Sequence, residues 1–126
     1  MEASSVCQLK CPSCPTAGGA TRSVIGSGFL PFDAFRGVID ENRWIRRIEL
    51  SNYGEIFLNP ELLRMLEYAH AHGVSVTADN GVNLNDVSQE VLEGLVRFGL
   101  HSMTCSIDGA SDATYRIYRV GGDFET

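Results

Sequence analysis

The stretch "RRIELSNYGEIFLNPELLRMLEYAHAHGVSVTA", residues 46–78, decides the fold. Its first part, "RRIELSN", predicts a short strand, and its last part, "VSVTA", predicts another because it is rich in β-branched residues. Between them "NPELLRMLEYAHAHG" predicts a helix, with Asn59 as its N-cap, Pro60 at its first position and Gly73 as its C-cap. A strand, a helix and a second strand in this order predict parallel strands joined by a right-handed crossover.

The same alternation continues on both sides of this stretch. Further elements are predicted as helices in "LPFDAFRGVIDEN" (30–42), "DVSQEVLEGLVRFG" (86–99) and "ASDATYRIYRV" (110–120), and as strands in "HSMTCSID" (101–108) and at the end of "MEASS" (1–5). The Gly/Ser-rich stretch "TAGGATRSVIGSG" (16–28) is predicted to be a connector. The fold class is therefore α/β, with about four βα units.

This architecture predicts where a functional site lies. In parallel α/β sheets and barrels, the loops that follow the carboxyl ends of the strands build the site. Those loops contain a cysteine-rich stretch, "NYGE" (52–55), "DNG" (79–81) and "SIDG" (106–109). We expect all four to meet at one rim of the sheet.

The composition narrows the classes of partner. The 126 residues are 44% hydrophobic and 21% charged, with a net charge of −6, so no concentrated basic face for nucleic acid is expected. No apolar run approaches the roughly 20 residues that span a bilayer, and the first residues lack the regions of a secretory signal. We therefore expect a cytoplasmic chain without a membrane or nucleic-acid partner.

The segment "CQLKCPSC", residues 7–14, holds three of the four cysteines. Thiolates are soft ligands for zinc, copper(I) or iron–sulfur clusters, but a structural zinc site needs four ligands, and Cys105 is better explained as a small buried residue of a strand. A redox-active C-x-x-C pair formed by Cys11 and Cys14 is an alternative that leaves Cys7 unexplained. A four-iron cluster held by three cysteines would keep one iron open for a substrate or cofactor, whereas electron carriers use four cysteines.

Three segments together resemble one enzyme family. The C-x3-C-x2-C spacing of "CQLKCPSC" at the end of a first strand resembles the signature of radical S-adenosylmethionine (radical SAM) enzymes. The segment "IELSNYGEIFLNPEL" (48–62) resembles the second-strand segment of that family, in which a Gly-Glu pair contacts the methionine end of the cofactor. The segment "SIDGASDATYRIYRVGGDFE" (106–125) resembles the fourth-strand segment of a branch that often carries a C-terminal SPASM extension and often modifies peptides or proteins.

The resemblance implies a fold, a set of cofactors and a reaction. The fold is a partial (βα)6 barrel of the radical SAM type, in which residues 1–126 form an N-terminal portion of the core domain, truncated before the fifth and sixth units. Its 4Fe-4S cluster is bound by Cys7, Cys11 and Cys14, and S-adenosylmethionine chelates the fourth iron. An electron, supplied by a reductant such as flavodoxin or ferredoxin, cleaves this cofactor to a 5′-deoxyadenosyl radical that abstracts hydrogen from a substrate, expected to be a peptide or protein.

The family's cofactor contacts map onto particular residues of this sequence. Gly54 and Glu55 match the Gly-Glu pair near the amino group of the cofactor, and Ser106 matches a ribose or methionine contact. Arg119 matches an arginine that meets the carboxylate, a pairing that the planar guanidinium favours. Asn80 lies on the third rim loop, where it either faces the cofactor or substrate or serves as a turn residue before a glycine.

Two departures accompany the resemblance, and one alternative function stays open. Ser13 stands where the family often has an aromatic residue, and "YGEI" (53–56) stands where it usually has Gly-Gly-Glu-Pro. The alternative function is a non-catalytic iron–sulfur or metal-binding module that uses the same cysteines.

As a fragment, the isolated chain is expected to expose the hydrophobic strand 101–107 as an open edge and to be catalytically poor. Asp108 is read as a turn residue first and a site carboxylate second, and Tyr118 as a packing residue.

Overall fold

The computed structural model describes all of residues 1–126 as a parallel sheet with helices in its crossovers. The elements, in chain order, are α1 (Ala20–Ile25), α2 (Phe32–Glu41), β1 (Arg47–Glu49), a 3-10 turn (Ile56–Leu58), α3 (Leu62–Ala71), β2 (Ser75–Val82), α4 (Gln89–Arg97), β3 (Ser102–Cys105) and α5 (Asp112–Tyr118). None of these helices combines the length and the apolar composition that a membrane span requires.

The three strands lie in the order β1-β2-β3, and both pairs are parallel. Ile48 pairs with Val76 in the first pair, and Thr77 pairs with Ser102 in the second. The register of the second pair shifts between Ala78 and Val82. The predicted α/β class with parallel strands is therefore confirmed, and the carboxyl ends of the strands point to one rim.

The N-terminal residues do not form the fourth strand that the sequence predicts. Ala3 donates its N–H to Leu50 O at 3.1 Å and accepts at its own carbonyl from Leu30 N at 3.0 Å, and Ser4 forms an isolated antiparallel bridge with Phe29. The segment therefore runs beside the end of β1 as irregular chain. The count of about four βα units is not reproduced, because the sheet contains three strands.

The hydrophobic core lies between the sheet and helices α2 and α3. Helix α3 buries Leu62, Met65, Leu66 and Ala69, which the spacing i, i+3, i+4 and i+7 places on one face. Helix α2 packs against α3, and its Phe35 is fully buried. Burial of each large apolar side chain of this kind stabilises the fold by about 1.5–3 kcal/mol.

Helix α3 begins two residues later than the sequence predicts. Glu61 takes the N-cap position, and the Asn59 side-chain oxygen accepts from Glu61 N at 2.8 Å, as a capping side chain does, which holds the turn before the helix. The Asn59 NH₂ group donates to Ala3 O at 2.8 Å and to Leu30 O at 3.0 Å. At the other end the prediction is confirmed, since Gly73 has a φ of 68° just after the helix, as a left-handed cap requires.

Two other segments differ from the prediction. Residues 16–28, predicted as a connector, contain helix α1. The "DNG" segment, predicted as a rim loop at 79–81, belongs to the end of β2. Strand β3 lies at the edge of the sheet. Met103 in this strand and Ile107 just after it are exposed, so the expected open hydrophobic edge is confirmed.

Candidate functional site

A cavity of about 250 Å³ lies at the rim where the strands end. All eight residues predicted for the site line it, although they come from five separate parts of the chain. They are Cys7, Cys11, Cys14, Gly54, Glu55, Asn80, Ser106 and Arg119. The structure therefore brings together every residue that the sequence singled out for cofactor or metal binding.

The cysteine loop is ordered by its own backbone and by the end of the chain. Cys14 donates its N–H to Cys11 O at 3.1 Å, which closes a tight turn. Lys10 donates its N–H to Val120 O at 2.8 Å, so the loop is fastened to the segment after α5. The Cys7 sulfur accepts from Leu9 N at 3.4 Å. These bonds place the three thiols on the wall of the cavity.

The three thiols are free, and Cys11 is buried. Burial raises the pKa of the Cys7 thiol, with a smaller opposing effect from the Leu9 N–H, so binding of a metal there must displace a proton. No three of the chain's Cys, His, Asp and Glu side chains form a group that could hold one metal ion. Tetrahedral thiolate ligands of a single zinc ion would have to approach within about 3.8 Å of one another. An iron–sulfur cluster has a different requirement, because each thiolate binds its own iron.

Cys105 stands apart from the other cysteines. It lies in β3 and lines a neighbouring, more apolar cavity instead of this one. Its exposure is intermediate, so the expectation of a buried side chain is only partly met. The structure gives no support to Cys105 as a fourth ligand beside the cysteine loop.

Gly54 allows the second rim segment to approach the chain that leads into the cysteine loop. A Cβ at this position would lie 2.6 Å from the carbonyl carbon of Ser4 and 2.7 Å from Val6 O, and closer still to Ser4 O. Because these neighbours are backbone atoms, no side-chain rotation could relieve the overlap. The next residue continues the contact, since Glu55 donates its N–H to Val6 O at 2.8 Å. Glycine at position 54 thus joins the "NYGE" segment to the cysteine loop.

The Glu55 side chain is buried and holds the end of β2. Its carboxylate accepts from Asn83 N at 2.7 Å, from the Asn83 side-chain amide at 3.2 Å and from Phe57 N at 3.2 Å. Burial raises the pKa of this carboxyl group, although these hydrogen bonds act in the opposite direction. Much of the acceptor capacity of Glu55 is therefore used within the chain.

Asn80 and Ser106 continue the wall on β2 and just after β3. Asn80 donates its N–H to Ser51 Oγ at 3.1 Å and its side-chain amide to Asn52 Oδ1 at 3.2 Å. Ser106 donates its N–H to Val82 O at 2.8 Å. Its hydroxyl oxygen lies 2.6 Å from the position that a Cβ on Gly81 would take, so a larger residue there would require the Ser106 side chain to rotate. The φ of 111° at Gly81 is what favours glycine.

Arg119 supplies the positive charge of the cavity. Its Nε forms an ion pair with Asp108 Oδ2, and its Nη1 lies 3.7 Å from the Cys11 sulfur. The side chain is only 18% exposed. Burial alone would lower the pKa of Arg119, but the pairing with Asp108 raises it, so the group stays charged. Asp108 is therefore more than a turn residue, because it fixes the guanidinium that faces the cysteine loop.

Comparisons with known proteins give two similarities. The chain is 32% identical over 122 residues to the AdoMet-dependent heme synthase of Methanosarcina barkeri (strain Fusaro / DSM 804), covering 94% of this chain and 33% of that protein. The fold is similar to that in the crystal structure of BtrN in complex with AdoMet and 2-DOIA, with a TM-score of 0.62 and 18% identity over 82% of this chain and 42% of that one. The first similarity agrees with the radical SAM resemblance of the sequence, and the second shows a likeness of fold.

No family model matches the chain. The chain spans about a third of the length of the heme synthase that it matches. AdoMet, which is the S-adenosylmethionine that the sequence resemblance implies, appears in the name of the heme synthase and as a ligand in the BtrN complex, and a 4Fe-4S cluster is the second cofactor that this resemblance implies.

Sequence reasoning missed several residues of this cavity. Ser51, Asn83 and Tyr118 line it, and Tyr118 was predicted only to pack. Ser51 lies two residues after β1 and Asn83 directly after β2, the region where parallel α/β proteins build their sites. The sequence alone does not indicate this, because it predicts Ser51 inside the first strand and ends the second strand at Ala78. Nor does it indicate Tyr118, whose place beside Arg119 depends on how the chain leaves α5.

Proposed function

We propose that residues 1–126 form the N-terminal part of a radical SAM core domain that binds a 4Fe-4S cluster and S-adenosylmethionine in the rim cavity. One observation carries the proposal: the eight residues that the resemblance singles out all line a single cavity. They are drawn from positions as far apart as 7 and 119, so local sequence proximity does not account for their meeting.

The donor set suits an iron–sulfur cluster. Cys7, Cys11 and Cys14 provide three sulfur ligands, and soft thiolates are the ligands that such clusters use. The guanidinium of Arg119 beside Cys11 would offset part of the negative charge that three thiolates bring together. The fourth iron position would be left for the cofactor.

The remaining wall residues suit the polar end of S-adenosylmethionine. Arg119 can bond a carboxylate through its Nη2, because its Nε is engaged by Asp108 and its Nη1 faces the Cys11 sulfur. Gly54 lines the cavity without a side chain, because the backbone of Ser4 and Val6 lies where its Cβ would be. Asn80 and Ser106 present an amide and a hydroxyl that can bond a ribose or an amino acid.

When bound, these cofactors supply one-electron chemistry, in which S-adenosylmethionine is cleaved to methionine and a 5′-deoxyadenosyl radical for hydrogen abstraction. The chain's own residues would bind and orient them. The reductant, such as flavodoxin or ferredoxin, and a peptide or protein substrate with an associated SPASM extension remain predictions. Neither similar protein is named for a peptide substrate, so that part rests on the resemblance of residues 106–125 alone.

The test is anaerobic reconstitution of the 126-residue chain with iron and sulfide. We expect a charge-transfer absorption band with four irons per chain and a change in the EPR signal of the dithionite-reduced cluster when S-adenosylmethionine is added. Formation of 5′-deoxyadenosine is expected to be slow, because the isolated chain is expected to be catalytically poor. Cys11→Ala should lose the cluster. Cys105→Ala is the matched control and should keep it, since Cys105 lies in a different cavity.

The outcomes separate the two candidate functions. A cluster that forms but leaves its EPR signal unchanged by S-adenosylmethionine would favour the non-catalytic iron–sulfur module. Absence of any cluster in the wild-type chain, or its equal loss in Cys105→Ala, would refute the proposed ligand set.

A further inference from the structure

We propose that Glu49 is a positioning residue, which holds two rim segments of the cavity in the arrangement that binds S-adenosylmethionine. The inference rests on the proposed function for its ligand, but its geometric part concerns this chain alone. Glu49 is the last residue of β1 and does not line the cavity. It acts from behind the wall, through Ser51 and Asn80.

Four hydrogen bonds converge on the Glu49 carboxylate. Its Oε1 accepts from Ser51 N at 2.7 Å and from Ser51 Oγ at 2.7 Å. Its Oε2 accepts from Thr77 Oγ1 at 2.6 Å and from Asp79 N at 3.0 Å. An ionised carboxylate only accepts hydrogen bonds and offers about four lone-pair positions, so the donors match its full capacity.

These bonds connect the end of β1 with the end of β2. Glu49 pairs with Thr77 in the sheet register, and Leu50 still donates its N–H to Thr77 O at 3.1 Å. The Leu50 carbonyl, however, accepts from Ala3 N and so bonds away from β2. Beyond this point the Glu49 side chain provides an acceptor for Asp79, and it continues the connection where the ladder ends.

The Glu49 carboxylate influences the cavity through the hydroxyl group of Ser51. Because Ser51 Oγ gives its proton to Glu49, its lone pairs are directed to other donors, and Asn80 N donates to it at 3.1 Å. The Asn80 side chain in turn donates to Asn52 Oδ1 at 3.2 Å. Ser51, Asn52 and Asn80 all line the cavity. Their positions therefore depend on the orientation of the Glu49 carboxylate, which does not itself line the cavity.

Replacement by glutamine tests this arrangement. Glu49→Gln keeps the length of the side chain but turns one acceptor oxygen into an NH₂ group, which would face N–H or O–H donors. Glu41→Gln is the matched control, because Glu41 is exposed at the end of α2 and undergoes the same chemical change. Thr77→Val is a second variant that removes a single donor at nearly constant volume.

The first measurement is amide hydrogen exchange on the metal-free chain. We expect exchange in residues 51–55 and 79–83 to become about tenfold faster in Glu49→Gln, with a smaller change in the same segments for Thr77→Val and none for Glu41→Gln. Unchanged exchange in these segments would overturn the proposal. So would an equal acceleration throughout the sheet, because that would make Glu49 a general structural residue.

The second measurement is binding of S-adenosylmethionine to the reconstituted chain. We expect Glu49→Gln to bind it about tenfold more weakly, with iron content and the absorption spectrum of the cluster unchanged. Equal affinity of wild type and variant would overturn the proposal. If the wild-type chain itself does not bind S-adenosylmethionine, the proposed function fails, and the exchange measurement still decides whether Glu49 holds the rim.

Discussion

Substitution of Gly54 by alanine tests how the cysteine loop is joined to the sheet. The added methyl group would overlap backbone atoms of Ser4 and Val6, and real Cβ atoms do not approach backbone so closely. Either the N-terminal segment or residues 53–55 must therefore move. Overpacking of this kind costs about 1–3 kcal/mol. Loss of the bond from Glu55 N to Val6 O adds about 1 kcal/mol.

The expected result for Gly54→Ala is a loss of about 2–4 kcal/mol in the free energy of unfolding. For a domain of this size in urea, with a slope of about 2 kcal/mol per molar, the midpoint should fall by about 1–2 M. Because the displaced segment leads into Cys7, the yield of reconstituted cluster should fall as well.

Gly37 provides the control for this substitution. It lies inside α2, and a Cβ built there meets no atom within 4 Å. Gly37→Ala should therefore stabilise the chain by about 0.5–1 kcal/mol, since alanine is the better helix former. The reasoning would be refuted if Gly54→Ala changed the urea midpoint no more than Gly37→Ala does, or if the urea midpoint of Gly54→Ala were higher than that of wild type.

Two further predictions concern charged groups. Arg119→Met should weaken S-adenosylmethionine binding about tenfold to a hundredfold in isothermal titration, because a buried charge-assisted contact is lost. Asp108→Asn should weaken it less than about threefold, because the ion pair between Asp108 and Arg119 is partly exposed. Equal losses in the two variants would contradict the assignment of Arg119 as the residue that contacts the cofactor. The pKa of Glu49 is lowered, since the hydrogen bonds from Asp79 N, Thr77 and Ser51 outweigh the effect of burial. Its stabilisation is therefore fully present above the ordinary glutamate pKa of 4.5 and is lost as the pH falls through the lower folded value. Thermal melts of wild type and Glu49→Gln should differ by a constant amount from about pH 6 to 8 and converge in more acidic buffer, whereas a difference independent of pH would contradict this sign.

The sequence predicts the sheet class and the composition of the site well, because both follow from short-range patterns. Alternating helical and strand periods imply parallel strands, and parallel strands carry their following loops to one rim. Cys7, Asn80 and Ser106 can thus be assigned to one rim before any coordinates are known, whereas Arg119, which follows the last helix, is assigned to the site only by the radical SAM resemblance. The structure confirms that they meet there, whereas their roles toward a cofactor stay predictions.

The boundaries that the sequence places wrongly are set by distant partners. Asn59 has the sequence context of an N-cap and its oxygen accepts from Glu61 N, but its NH₂ group also bonds the distant Ala3 and Leu30, and the helix begins only at Leu62. Asn80 has the context of a turn residue before glycine, yet Asp79–Gly81 continue β2. Donors of that segment find acceptors on Glu49 and Ser51, about 30 residues earlier in the chain. A local pattern cannot contain these partners.

The position of the cysteine loop also depends on partners that are distant in the sequence. Its spacing is local, but its position comes from residues 1–6, which lie beside β1 without forming a strand. Glu2 accepts from Tyr53 N and Gly54 N, at 3.0 and 3.1 Å, and Val6 O accepts from Glu55 N at 2.8 Å. Each of these bonds joins residues about 50 positions apart, and the glycine is what allows the two segments to come so close. The three thiols therefore face the rim because an irregular segment is held by backbone and carboxylate contacts, and a change that loosens those contacts should displace the ligands without altering any cysteine.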